Sequence, residues 1–134
     1  MKVSIFYLII SMFFLTGCLK YEAPKCSNPD VELLVKQLYK DSLNKLTNNP
    51  MTAIFITAMP KEIKKLTYIR PTSYNKEISL RECKAEAVFD KNISAAIHYN
   101  VQLTEDQSDK YIVELDTTFM EGLMQKSLLN GLLK

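Results

Sequence analysis

Two hydrophobic periods follow one another along the chain. In residues 28–46, apolar side chains recur at helical spacing and form one stripe: Val31, Leu34, Val35, Leu38, Leu43 and Leu46, with Ser42 among them. Asn28 is the predicted N-cap, because Pro29 after it suits the first helical position. Residues 48–50 (Asn-Asn-Pro) end the segment. The pattern predicts an amphipathic helix whose apolar face packs on another element.

Beyond residue 61 the hydrophobic period changes to two residues, which predicts strands with one solvent-exposed face. The apolar positions of three strands are Cys83, Ala85, Ala87 and Phe89, then Ile93, Ala95, Ile97, Tyr99, Val101 and Leu103, then Tyr111, Val113 and Leu115. Residues 66–70 are predicted as the first strand. The connections at 71–76, 90–92 and 104–109 are short and rich in turn formers, so we expect hairpins in an antiparallel meander.

Two other apolar segments flank the strands. Residues 51–60 are predicted as a buried helical turn or a short strand. In the tail, Thr118 and Glu121 have capping-box spacing and predict a short C-terminal helix. Its apolar residues spread over more than half of the circumference, among them Phe119, Met120, Leu123, Met124 and Leu128. This helix either packs on the domain or contacts a partner or a membrane surface.

Together these elements predict an α+β domain over residues 26–134. An N-terminal amphipathic helix packs on an antiparallel sheet of about four strands, as in the cystatin or NTF2-like folds, and a short C-terminal helix follows.

The amino-terminal segment has a different character. After Met1-Lys2, the twelve residues 3–14 are mostly apolar, which is too few to span a bilayer but fits a signal peptide. The next four, Leu15-Thr16-Gly17-Cys18, resemble the lipobox of bacterial lipoproteins. That resemblance implies cleavage before Cys18 and acylation of its sulfur. Residues 1–17 are then a signal peptide and 18–25 a lipidated tether, and Leu19 favours the outer membrane facing the periplasm.

The remaining cysteines form an even pair. Of three cysteines, the lipid takes Cys18 and leaves Cys26 and Cys83, which we predict to form a disulfide in an oxidising compartment. Two free thiols or a metal site are the alternatives. A metal site lacks its usual ligands, because the chain has a single histidine, His98, and no C-x-x-C spacing. We therefore expect no metal and no cofactor.

Charge and composition exclude several classes of function. The 134 residues carry 17 basic and 15 acidic side chains, scattered along the chain, so nucleic acid is not an expected partner. Three glycines leave little material for a phosphate loop. His98 lies alone on a wet strand face, and the glutamates on the strands fit a solvated face: Glu82, Glu86 and Glu114. We expect no catalytic residues. The titratable side chains that come closest to forming a cluster are Glu82, Glu86 and His98.

One modification site is also predicted. Residues 90–94 (Asp-Lys-Asn-Ile-Ser) resemble the D/E-x-N-x-S/T acceptor of some bacterial periplasmic N-glycosylation systems, with Asn92 as the acceptor. Asp and Asn are also common turn residues, which explains the motif without a glycan.

The favoured hypothesis is a lipid-anchored, non-catalytic binding or accessory protein of the cell envelope. The chain resembles, loosely, small Gram-negative lipoproteins of undefined activity, in a proline-started helix after a cysteine, a C-x-A strand and a Y-x-V-x-L strand. Its expected partners are the membrane, through the lipid, and another envelope protein, through the open sheet face or the C-terminal helix. The alternative is a small-ligand carrier with a pocket between helix and sheet.

Overall fold

Two helices precede four consecutive strands and a third helix follows them, the segregated order typical of an α+β chain. The computed structural model describes residues 21–90, 92–107 and 109–132. The elements are α1 (Pro29–Thr47), α2 (Pro50–Ile56), β1 (Ile63–Asn75), β2 (Leu80–Phe89), β3 (Ser94–Leu103), β4 (Tyr111–Leu115) and α3 (Phe119–Leu132). The strands form one antiparallel sheet in the order β1-β2-β3-β4. The predicted class and strand number are confirmed. However, the first described helix begins at residue 29 and does not lie at the amino end of the chain.

Helix α1 begins at its predicted cap. The side chain of Asn28 accepts a hydrogen bond from the backbone N–H of Asp30 at 2.9 Å. One face of the helix is buried by residues four apart, namely Val31, Val35, Tyr39 and Leu43. The prediction was wrong at Leu34, which is 40% exposed, and it omitted Tyr39, which is fully buried. The buried line runs along i, i+4 steps, and Leu34 lies to one side of it.

The sheet has one buried face and one open face. The alternation predicted for β2 is confirmed, since Cys83, Ala85, Ala87 and Phe89 are all buried. The same holds for Ile97, Tyr99 and Val101 on β3 and for Val113 on β4. Aromatic rings join this face to the helices. The Tyr39 and Phe89 ring centroids are 5.2 Å apart, and those of Tyr39 and Phe119 are 6.2 Å apart.

Strand β1 is longer than predicted. The predicted turn at 71–76 was wrong, because β1 continues to Asn75 and the turn occupies residues 76–79. Pro71 cannot donate to a ladder, but β1 is an edge strand, where proline is tolerated. The pairing with β2 shifts register between Thr67 and Arg70 and again after Pro71, and Tyr68 has a left-handed φ of 51°. These bulges let the strand carry the proline.

The segment 51–60 is helical over most of its length, as one of the two predictions for it stated. The side chain of Asn49 accepts from the N–H of Met51 at 3.0 Å and caps α2. Met59 and Pro60, after the helix, are buried. On α2 itself Met51 is 81% exposed and Phe55 47% exposed, so this short helix is less buried than predicted.

Helix α3 lies beside β3. Strand β4 pairs only with residues 99–103, and α3 packs near the earlier part of β3, where Lys126 Nζ donates to the Ser94 carbonyl at 3.3 Å. The predicted capping box paired Thr118 with Glu121. This partner was wrong, because the Thr118 N–H donates to the Asp116 carboxylate at 2.9 Å. Met120 and Leu123 are buried, which confirms that the helix packs on the domain.

Residues 23–26, just before α1, are held to the end of the sheet by three connections, which we call the clasp. Cys26 and Cys83 form a disulfide, as predicted, with their Cα atoms 5.7 Å apart. The buried hydroxyl of Tyr99 donates to the Cys26 carbonyl at 2.8 Å. The guanidinium of Arg81 donates to the carbonyls of Pro24 at 3.2 Å and Ala23 at 3.4 Å. Hydrogen bonds therefore hold the backbone at Ala23 and Pro24 as well as at Cys26.

Candidate functional site

The open face of the sheet presents polar side chains from all four strands. Because successive side chains alternate between faces, the outward residues are those that lie between the buried ones. The strand register aligns them into two transverse rows, Ser73-Glu82-Asn100-Glu114 and Arg70-Lys84-His98-Asp116. The Asp116 N–H donates to the His98 carbonyl at 3.0 Å and so extends the ladder past β4. We call the surface made by these two rows the open face.

One half of the open face is an acidic recess. A depression of about 580 Å³ is lined by both glutamates of the first row, by Asp116 and by His98, with Thr72, Asn100 and Thr118 around them. The hydroxyl of Ser73 donates to Glu82 Oε2 at 2.6 Å and orients that carboxylate. Hydrogen bonds from the backbone N–H and the hydroxyl of Thr118 lower the pKa of Asp116. Its carboxylate therefore stays charged at a lower pH than an ordinary aspartate does. The recess therefore carries negative charge at neutral pH.

The open face around Arg70 and Lys84, together with the surface beside it, is predominantly basic. A second depression of about 320 Å³ is lined by Arg70, Lys84 and Lys126, with the phenol of Tyr68 and one carboxylate, Glu86. Tyr68 is 80% exposed. Positive and negative side chains thus occupy neighbouring parts of one surface. Such a surface fixes the orientation of a charged partner, because the reversed orientation places like charges together.

Of the three titratable residues singled out as the nearest approach to an active site, Glu82 and His98 line the same recess and Glu86 lies outside it. Glu82 and Glu86 both lie on β2, four residues apart, which separates them by about 13 Å along the strand. His98 is exposed and lies opposite Lys84 in the register. Within the part of the chain that the structure describes, no group of three or more His, Cys, Asp or Glu side chains is placed to hold a metal ion.

The predicted contact residues of the C-terminal helix are largely used by the domain itself. Met120 is 6% exposed and Leu123 1% exposed, while Phe119 and Met124 pack partly buried against the core. Leu128, the fifth, is 37% exposed, and Leu129 beside it is 59% exposed. A partner contact by this helix stays a prediction, and the exposed surface available for it is centred on Leu128 and Leu129.

Asn92 lies at the tip of the hairpin between β2 and β3. It is exposed and has a left-handed φ of 54°, and its N–H donates to the Phe89 carbonyl at 3.2 Å. Asparagine is one of the few residues that adopt this backbone conformation readily. The turn alone therefore explains the residue, and glycosylation stays a prediction.

The space between α1 and the sheet is filled with side chains. Tyr39, Phe89 and Ile97 are each at most 1% exposed there. A largely apolar groove of about 400 Å³ lies elsewhere, between α1 and residues 56–61. Side chains therefore fill the predicted position of a carrier pocket at the places named, and a carrier function stays a prediction.

Cys18, the predicted lipidation site, lies outside the described residues. Among the residues that the structure describes, no helix is long and apolar enough to cross a bilayer.

Comparisons of the chain with protein-family models, with curated proteins and with solved structures found no match.

Sequence reasoning found the glutamates and His98 of the open face but not their neighbours across the sheet. Ser73 and Arg70 were assigned to a turn or to a shorter strand, and Asp116 follows β4 and was not considered. Asp116 continues the alternation of β4, in which exposed Glu114 follows buried Val113. That alternation was the available signal for Asp116.

Proposed function

We propose that the chain is a non-catalytic accessory protein of the bacterial cell envelope, anchored by a lipid on Cys18, that docks another envelope protein on its open face. The observation that carries the docking proposal is the charge-divided open face. It offers hydrogen-bonding and charged groups on a sheet, and no three His, Cys, Asp or Glu side chains among the described residues are placed to hold a metal ion.

The expected partner element is a polar segment with basic groups at one end and acidic groups at the other. Its basic end meets Glu82, Glu114 and Asp116, and its acidic end meets Arg70 and Lys84. Contacts of this kind contribute orientation and association rate more than affinity. The apolar contribution comes from exposed rings and aliphatic side chains at the margins, such as Tyr68 and Ile112, which is 52% exposed.

A photo-crosslinking amino acid placed in the intact chain in living cells tests the docking surface. With the crosslinker at His98 or Asn100, we expect an adduct of one discrete mass. At Leu33 or Lys45, which are exposed on α1, we expect no such adduct. The charge reversal Glu114→Lys, combined with the His98 crosslinker, should remove most of the adduct. The matched reversal Glu105→Lys, in the loop before β4, should leave it unchanged.

Equal adduct formation from the α1 positions and the open face would contradict the docking proposal. So would full retention of the His98 adduct in the Glu114→Lys variant, provided that both proteins accumulate to the same level.

The anchor rests on the lipobox, and a separate experiment tests it. In cells expressing the intact chain, Cys18→Ala should abolish incorporation of labelled palmitate and leave the unprocessed precursor. Cys26→Ala is the matched control, because Cys26 belongs to the disulfide. If the Cys18→Ala protein still incorporates palmitate and is still processed, the anchor proposal fails while the docking surface remains to be judged by crosslinking.

A further inference from the structure

The groove between the C-terminal half of α1 and residues 56–61 has an apolar floor. Leu43 from α1, Ile56 from the end of α2, and Met59 and Pro60 from the following segment line it, and all four are buried. Its volume of about 400 Å³ lies in the range of pockets that hold small molecules. The groove shares no lining residue with the open face, so it is a separate feature of the molecule.

The mouth of the groove is basic. Lys40 and Lys61 are among its lining residues. Glu62 is shared between two ammonium groups, that of Lys40 at 3.7 Å and that of Lys64.

Positive charge is in excess at this mouth. The nearby carboxylates are Glu62 and Asp90, whose Oδ1 accepts from the Lys61 N–H at 3.1 Å. Neither carboxylate is among the lining residues, which include two lysines and no acidic residue beside an apolar floor. This combination is complementary to a molecule with an apolar chain and one anionic end.

We propose that the groove binds a single-chain anionic lipid. Its acyl chain lies against Leu43, Ile56 and Met59, and its carboxylate or phosphate head lies between Lys40 and Lys61. This assignment goes beyond the docking function and is independent of it. Each methylene of the chain that becomes buried strengthens binding about fourfold, which corresponds to about 0.8 kcal/mol.

Photolabelling of the intact chain in lipid nanodiscs tests the groove directly. The probe is palmitate with a diazirine in its chain, and the matched probe is the corresponding fatty alcohol, which lacks the charge. We expect the acid to label peptides containing Leu43 or residues 56–61 at least tenfold more strongly than the alcohol does. Lauric acid should compete about 15-fold better than decanoic acid, because it has two more methylenes.

Variants separate the groove from the bilayer around it. Asn44→Trp places a ring in the groove and should remove this labelling, whereas Leu33→Trp, on an exposed part of α1, should not. The double reversal Lys40→Glu/Lys61→Glu should abolish the preference for acid over alcohol. Lys45→Glu, exposed and outside the groove, is its control. Circular dichroism verifies that every variant is folded.

Three outcomes would overturn the assignment. These are equal labelling by acid and alcohol, unchanged labelling in a folded Asn44→Trp variant, and labelled peptides that map outside the groove. None of them bears on crosslinking through the open face, so failure here leaves the docking proposal intact.

Discussion

Two buried tyrosine hydroxyls each hold a distant segment of backbone. Tyr39 on α1 donates to the Pro60 carbonyl at 2.7 Å, and Tyr99 on β3 donates to the Cys26 carbonyl at 2.8 Å. Burial raises the pKa of both phenols, that of Tyr99 to about 12, since a buried phenolate would lose its hydration. Each tyrosine thus contributes both packing and a specific hydrogen bond.

Replacing Tyr39 by phenylalanine should destabilise the protein. The ring still fills its place, but the Pro60 carbonyl loses its buried partner, which costs about 1–3 kcal/mol. Urea denaturation followed by circular dichroism measures this change in the free energy of unfolding. Tyr68→Phe is the control and should change it by less than about 0.5 kcal/mol, because Tyr68 is 80% exposed. Equal effects of the two substitutions would contradict the assigned hydrogen bond.

Stability should fall in alkaline solution, and Tyr99 should account for part of the fall. Its pKa is raised from 10.0 to about 12, so the folded state holds the phenolic proton in a range where the unfolded chain releases it. The contribution is complete below pH 10 and declines by about 1.4 kcal/mol per pH unit between pH 10 and 12.

The measurement compares wild type with Tyr99→Phe at several pH values from 8 to 11.5. The variant should be less stable at pH 8, yet its stability should decline less steeply above pH 10. Parallel curves for the two proteins would show that Tyr99 does not titrate abnormally.

At the level of single residues, the sequence pattern predicted the features that local alternation or helix capping determines. It missed those that depend on a partner far away in the sequence. The buried positions of β2 and the Asn28 cap follow from local pattern, and both are observed. Tyr39 was omitted although it lies four residues after Val35 on the buried line, and the acceptor of its hydroxyl, the Pro60 carbonyl 21 residues later, has no local signal.

Among the elements, α3 carries the clearest local conflict between sequence and conformation. Gly122 lies in its first turns, with ordinary helical backbone and nothing within 4 Å of where a Cβ would be placed. Glycine at such a position costs helix stability because the unfolded chain gains freedom.

Gly122→Ala should therefore stabilise the protein by about 0.5–1 kcal/mol. Thermal denaturation of the variant should show a higher midpoint than wild type. Gly131→Ala, which is also unobstructed but lies one residue from the end of the helix, should have a smaller effect. A lower midpoint for Gly122→Ala would mean that α3 is not helical at this position in solution.

The element order could be read from sequence, but the limits of β1 could not. Residues 71–76 contain Pro71 and several turn formers, so local chemistry favours a turn. The strand passes through them because β1 pairs with β2 on one side only, and two register shifts absorb the irregular backbone. Whether a strand lies at the edge of a sheet is a property of the whole sheet, and the local pattern does not contain it.

For the molecule as a whole, the disulfide closes a long loop that contains both α1 and β1. Its two cysteines are 57 residues apart, so on the chain-entropy model it stabilises the fold by about 4 kcal/mol. That is a large part of the 5–15 kcal/mol typical of a domain.

Replacing Cys26 and Cys83 together by alanine should lower the free energy of unfolding by about 2–5 kcal/mol. Denaturation of wild type in dithiothreitol should show a similar loss, and the double variant should not respond to dithiothreitol. Cys18→Ala is the control and should retain the response. If wild type with both thiols chemically confirmed as reduced is as stable as the oxidised protein, the disulfide contributes nothing to stability.

The clasp also limits how far the protein can reach from a bilayer. If Cys18 carries the lipid, only residues 18–22 separate it from the fixed backbone at Ala23, and five residues extend at most about 18 Å. The chain leaves at the end of the sheet near the β1–β2 turn, where Tyr21 lies beside Ile78 and Leu103. The longest strands that build the open face are about 30–45 Å long. On the proposed function, an envelope partner would then present its matching charges within roughly 60 Å of the lipid headgroups, and lengthening the tether would extend that range without altering the open face.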